Sequence, residues 1–262
     1  MIAGLPETIT DAIEEIARTP NLLVALDFDG TLAPTVDDPE RARATPEARS
    51  AVLSLLAVPG TRVALVSGRA IASLERAADL PEAVLLVGSH GAEFRLDGQS
   101  SAPRLSVEER ARLGELSVAL DAIAARFSAV RIEGKPAGYA LHTRLATPED
   151  AGEAQAEALR IAEDPAIFSR GGKDVLEFSV RPADKGSALQ RLRDYTGASR
   201  ILFVGDDVTD EDAFAALEPE DVGVKVGAGE TAAEFRIDSP ASVAALLELL
   251  TEARKRAGFS VP

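Results

Sequence analysis

Five short apolar runs, separated by helical patterns, constrain the fold of this chain more than any other feature. They are LLVALDF (22–28), RVALVSG (62–68), AVLLVGS (83–89), RILFVGD (200–206) and VGVKV (222–226). Between them TPEARSAVLSLLA (45–57), RAIASLERAA (69–78), DKGSALQRLRDYTG (184–197) and DEDAFAALE (210–218) carry apolar residues at helical spacing. Strands that are apolar on both faces and alternate with helices predict an α/β unit with a parallel sheet covered on both sides. A last helix fits SPASVAALLELLTEARKRAG (239–258), opened by Ser-Pro and closed by Gly258. Near the start, Ile9, Ile13 and Ile16 share one face of a further helix, with acids between them.

Residues from about 97 to 180 break the alternation. LDGQSSAPR reads as a polar, flexible way in and RPADKG as the way back. Between them come a long helix (SVEERARLGELSVALDAIAARF), a hairpin (AVRIEGKPAGYALHTR), a second helix (TPEDAGEAQAEALRIAED) and a second hairpin (AIFSRGGKDVLEFSV). That order predicts a small antiparallel sheet with two helices on one face, inserted as a second domain at 97–181. The catalytic core is then expected over 1–96 and 182–262.

With 262 residues, 46% of them hydrophobic, the chain can bury a sizeable core. Acids outnumber bases 43 to 28, a net charge of −15, which argues against nucleic-acid binding or adhesion to an anionic membrane. The absence of cysteine excludes disulfides, thiolate metal sites and a thiol nucleophile. No run reaches membrane-spanning length, and the first residues do not read as an export signal, so a cytoplasmic protein is expected.

Ligands of parallel sheets bind beyond the carboxyl ends of the strands. Here those ends read DFDGT, SGR, GSHGAE and GDDVTDED. Asp27 and Asp29 close the first strand, and two carboxylates so near a buried run need compensation. Turn and capping chemistry accounts for Asp-Gly alone. A second acid cluster at Asp206, Asp207 and Asp210, and Lys185 at a helix start, point further. A carboxylate can attack phosphorus to form an aspartyl-phosphate, provided that a divalent cation such as Mg²⁺ offsets the charge. Asp27 suits nucleophile and metal ligand. Asp29 suits proton donor and acceptor, with its carbonyl as a further ligand. Ser67 offers a hydroxyl to a phosphoryl oxygen, and Lys185 a point charge. Arg69 could reach phosphate or hold a salt bridge between domains.

DFDGTLAP, SGR, DKG and GDDVTDED, in that order, resemble the four motifs of the haloacid dehalogenase superfamily of phosphotransferases. The resemblance implies a Rossmann-like core, dependence on Mg²⁺ and an aspartyl-phosphate intermediate. It implies Asp27 as nucleophile, Asp29 as acid and base, and Ser67 and Lys185 as phosphoryl binders. Asp206 is implied as the second metal carboxylate, while Asp207 and Asp210 orient the metal's waters.

The substrate must be read from the insert. Glu133 and Lys135 share a strand face, as do His142 and Arg144, and Lys173 and Glu177 follow in GGKDVLEF. Acids and bases on one face suit a polyhydroxylated anion, although a solvated face with cross-strand ion pairs would read alike. GSHGAE, EGK…HTR, LEF…RP…KG and GDDVTDEDAF are together similar to the trehalose-6-phosphate phosphatases, over about residues 20–230. The resemblance implies a cap that closes over the core and sugar hydroxyls held by Glu133, Lys135 and Glu177. No synthase domain is present, so hydrolysis alone is expected, by a monomer acting on a small sugar phosphate. His90 reads as a group that fixes a loop near the core–cap junction or as a substrate contact, and His142 as a substrate or cap-structure residue. Rival readings are a phosphatase for glucosyl- or mannosyl-glycerate phosphate or sucrose phosphate, a phosphomutase, and a non-catalytic sugar-phosphate binding module.

Overall fold

The computed structural model describes residues 5–36, 39–172 and 174–259. The chain opens with α1 (Glu7–Ile16), β1 (Leu22–Leu26), α2 (Pro46–Leu56), β2 (Thr61–Val66), α3 (Ile71–Ala78), β3 (Leu85–Gly88), β4 (Glu93–Leu96) and β5 (Gln99–Ser101). It continues through α4 (Val107–Ala124), β6 (Arg131–Lys135), β7 (Gly138–His142), α5 (Pro148–Leu159), β8 (Phe168–Gly172) and β9 (Val175–Ser179). It ends with α6 (Lys185–Thr196), β10 (Arg200–Gly205), α7 (Glu211–Ala215), β11 (Val222–Val226), β12 (Phe235–Ile237) and α8 (Pro240–Arg256). Two compact units result, one reaching Ser101 and resuming at Asp184, the other Ala102–Ala183.

In the first unit the strands lie in the order β12-β11-β10-β1-β2-β3-β4-β5. All pairings from β12 to β3 are parallel, and β4 and β5 are antiparallel additions. Successive side chains of a strand leave opposite faces, and the core divides accordingly. Leu22, Val24 and Leu26 of β1 pack with Val63, Leu65, Leu202 and Val204 against the side of α1, α2, α3 and α8. Leu23 and Ala25 pack with Ala64, Val66, Ile201 and Phe203 against α6 and α7. The both-sides-buried reading of these runs therefore holds, and it is why β1, β2 and β10 show no polar alternation.

Capping residues set several helix starts where the sequence placed them. Thr45 accepts from Ala48 N at 3.1 Å, and Asp184 from Ser187 N at 2.7 Å, which fixes the first turn of α6 and with it Lys185. Two features were not legible. LDGQSS is a hairpin rather than a flexible loop: Asp97 and Gly98, at φ of 48° and 77°, form a two-residue turn between β4 and β5. The three residues of β5 are all exposed, so no apolar period marked them as a strand. β12 ends in the buried Ile237 but is only three residues long, too short to show a period.

The second unit is a four-stranded antiparallel sheet, β6-β7-β9-β8. Leu141, Leu176 and Phe178 pack with Leu116, Leu120 and Ile123 of α4 and Ala154 and Ala158 of α5, so both helices cover one face. No helix among the described residues is long and apolar enough to cross a membrane.

Candidate active site

The carboxyl ends of β1 and β10 and the start of α6 bring three acids to one lysine. Lys185 donates from Nζ to Asp27 Oδ1 at 2.6 Å and to Asp210 Oδ1 at 2.7 Å. Lys185, Asp27 and Asp210 are all buried, and the first two stand 158 positions apart in sequence. One carboxylate oxygen each of Asp27, Asp206 and Asp210 lies within 4.8 Å of the others. Thr31 donates its hydroxyl to Asp206 Oδ1 at 3.4 Å. Gly30 is required here: its φ is +82°, and a Cβ would stand 2.0 Å from Asp206 Oδ2.

This concentration of charge shows in the ionisation of the group. Burial pushes the Asp27 carboxyl well above its ordinary range, against the pull of Lys185 and with the push of Asp210 and Asp206. Burial, then Asp210, raises Asp206 to about 6. Burial alone would lower Lys185, but the adjacent Asp210 and Asp27 outweigh it and hold the ammonium above its usual value. Among the described residues the cluster holds three carboxyls to one cation, so it is short of positive charge.

Asp29 and Asp207 stand outside this trio. Asp207 is exposed, and its backbone N–H donates to Asp210 Oδ2 at 2.9 Å, so Asp207 caps the short turn that turns Asp210 inward. Both oxygens of Asp29 accept from Arg69, Nε at 2.6 Å and Nη2 at 2.7 Å. Ser67 is buried at the end of β2, where its Oγ accepts from the Arg69 backbone N–H at 3.2 Å. His90 donates its backbone N–H to Ser67 O at 3.0 Å and takes a left-handed φ of 56°.

In the second unit the face turned away from the helices carries Glu133, Lys135, His142 and Glu177. His142 Nε2 and Glu133 Oε2 are 2.9 Å apart, and this hydrogen bond holds the Glu133 carboxyl below its ordinary range. Lys135 donates to Glu177. Arg144 Nε lies 3.6 Å from Asp174 Oδ2. Lys173 lies outside the described residues.

Two groups escaped the sequence reading. Lys225, buried in β11, donates to the Asp207 carbonyl at 3.1 Å and to Glu211 Oε1 at 3.3 Å, bracing the acidic turn. A lone lysine in VGVKV was the available signal. Arg170 stands in register with Glu177, Ala140 and Glu133 across the small sheet. Counting strand parity through both hairpins would have placed it on that face.

The sequence profile of the family described as trehalose-phosphatase matches residues 25–241. This chain belongs to the trehalose-phosphatase family. The trehalose-phosphate phosphatase of Mycobacterium marinum is 34% identical over 260 residues, covering 90% of this chain. The match takes in 64% of the length of that relative. A crystal structure described as a trehalose-6-phosphate phosphatase related protein superimposes with a TM-score of 0.74 at 25% identity, covering 89% of this chain and 99% of the other. The C-terminal domain of the Candida albicans trehalose-6-phosphate phosphatase shares the fold, with a TM-score of 0.79 at 21% identity over 95% of this chain and 98% of that one. Within the trehalose-phosphatase match fall all the acids of the cluster, Lys185 and the polar face of the second unit.

Proposed function

We propose that this protein hydrolyses trehalose 6-phosphate to trehalose and inorganic phosphate, using Asp27 as nucleophile. The observation that carries the reading is the buried Lys185 bridging Asp27 and Asp210 beside Asp206, in a chain of the trehalose-phosphatase family. The donor set fits a hard divalent cation: among the described residues three carboxylates with oxygens within 4.8 Å face one ammonium, and burial has raised two of them. Asp27, Asp206 and Asp210 would hold Mg²⁺, which when bound offsets the charge built up between these carboxylates and a phosphate dianion.

Asp27 Oδ attacks phosphorus, the new P–O bond forming as the bond to the sugar oxygen breaks. Asp29 gives its proton to that leaving oxygen. Water then attacks the aspartyl-phosphate and the Asp27 O–P bond breaks. Asp29 recovers a proton from the water, and inorganic phosphate leaves. Lys185 stays protonated throughout, holding Asp27 in place and drawing on the phosphoryl oxygens, with the Ser67 hydroxyl as a further donor. Glu133 and Glu177 accept from sugar hydroxyls while Lys135 and Arg144 donate. Asp27→Asn tests the reading: phosphate release from trehalose 6-phosphate should vanish while the sugar phosphate still binds, as read by calorimetry. Turnover that survives the substitution refutes Asp27 as nucleophile.

A further inference from the structure

We infer that Arg69 is a positioning residue that sets Asp29 for the second half of the reaction, the attack of water on the aspartyl-phosphate. The inference rests on the reading of Asp29 as acid and base given above. Among the described residues, the Asp29 carboxylate accepts side-chain hydrogen bonds from Arg69 alone, at 2.6 and 2.7 Å through both oxygens. A planar fork of two parallel bonds fixes the plane of a carboxylate as well as its place, which a single point charge does not. The arginine side chain is 9% exposed and the aspartate 39%, so the rigid partner sits beneath and the acid faces outward.

The fork is itself held from several sides. Arg69 Nη1 donates to Ser73 Oγ at 3.3 Å, and its guanidinium lies 5.6 Å from the ring centroid of Phe28, the buried residue between the two aspartates. The backbone is pinned on both flanks: Ser89 N–H donates to Arg69 O at 2.8 Å and His90 N–H to Ser67 O at 3.0 Å. To make those bonds Ser89 and His90 take consecutive left-handed conformations, with φ of 49° and 56°. Each costs about 1 kcal/mol or more in a residue with a Cβ, and such strain is retained where the surroundings over-determine it. Gly68 completes the arrangement, since a Cβ there would stand 2.6 Å from the His90 ring.

An acceptor aligned in this way keeps its outer lone pairs for a proton from water. Arg69 remains charged and exchanges no proton itself. The proton released as the P–O(water) bond forms and the P–O(Asp27) bond breaks goes to Asp29. Loosening the fork therefore slows release of phosphate from Asp27 more than it slows the first transfer from a substrate whose leaving group needs no acid.

The test is stopped-flow hydrolysis of p-nitrophenyl phosphate with Mg²⁺ by the wild-type protein, Arg69→Gln, Arg69→Lys and Asp29→Asn. Folding of each is checked by circular dichroism. Arg69→Gln should lower kcat about 100-fold, the scale of a misplacement near 1 Å. KM should fall with it, with a burst of one p-nitrophenol per site and covalent phosphate trapped on Asp27 by acid quench. Arg69→Lys should fall between and carries the same test if the glutamine variant does not fold. Asp29→Asn must also burst. A burst in Asp29→Asn with none in either arginine variant refutes the role of Arg69 and leaves the proposed mechanism standing. No burst in Asp29→Asn refutes Asp29 as the base, and the inference with it.

Discussion

Replacing Asp206 by Asn should make the metal-free protein more stable at neutral pH, because it removes one carboxyl of the buried acidic cluster. Asp206 is raised from the ordinary 3.8 to about 6 by burial and by Asp210. Below about pH 4 both the folded and unfolded chains hold this proton, and no penalty arises. Above it the unfolded chain loses the proton while the folded one keeps it, so stability falls as pH rises, until Asp206 ionises near 6. A shift of this size at about 1.4 kcal/mol per unit makes the penalty on the order of 3 kcal/mol above pH 6, an upper limit because Asp206 is only partly buried. Asn keeps the volume and the acceptor for the Thr31 hydroxyl. Urea denaturation in EDTA at pH 4 and at pH 7.5 measures the effect. The gain should appear at pH 7.5 and vanish at pH 4, and added Mg²⁺ should stabilise the wild-type protein far more than Asp206→Asn. Equal or lower stability of Asp206→Asn at pH 7.5 in EDTA would show that Asp206 is not under repulsion and that the cluster has no deficit of positive charge.

Other outcomes follow from the same geometry. Lys185→Met leaves Asp27 and Asp210 buried without their ammonium, so urea midpoints should report a loss of about 3–5 kcal/mol in EDTA, and phosphate release should be undetectable. Glu133→Ala and Lys135→Ala should cut kcat/KM for trehalose 6-phosphate by about 100-fold while changing p-nitrophenyl phosphate turnover less than about threefold; equal losses on both substrates refute their assignment to the sugar. The buried Arg254, lowered to about 10 by burial, donates to the carbonyls of Ala17 and Thr19 at 3.1 and 2.8 Å and to that of Pro59 at 3.1 Å. Arg254→Met should cost about 3 kcal/mol of stability by denaturant titration with kcat unchanged, because these carbonyls lose their donor far from the acids.

What the sequence disclosed and what it hid divide along physical lines. β1, β2 and β10 were legible because a strand buried on both faces must be apolar throughout, and their ends were legible because acids there have few structural uses. Asp27, Lys185 and Asp206 could be named from motif order. The resemblance gave Asp207 and Asp210 one shared role, and the sequence could not separate the two. One backbone turn, in which Asp207 donates to Asp210, decides which of them points inward. The partner of Arg69 was equally hidden, since a fork pair between residues 40 apart depends on how two strand ends meet. In the second unit, strand parity was sufficient for Glu133 and Lys135, and it would have found Arg170 had the register been followed across all four strands.

The most direct measurement is kcat/KM for phosphate release by the purified protein with Mg²⁺, for trehalose 6-phosphate against sucrose 6-phosphate, glucose 6-phosphate and mannosyl-3-phosphoglycerate. A preference for trehalose 6-phosphate of about 100-fold or more, the scale that hydrogen-bonded recognition of hydroxyls supplies, is the result expected here. A higher value for any of the other three would contradict the assignment of the substrate, and no phosphate release from any of them would contradict the assignment of a phosphatase.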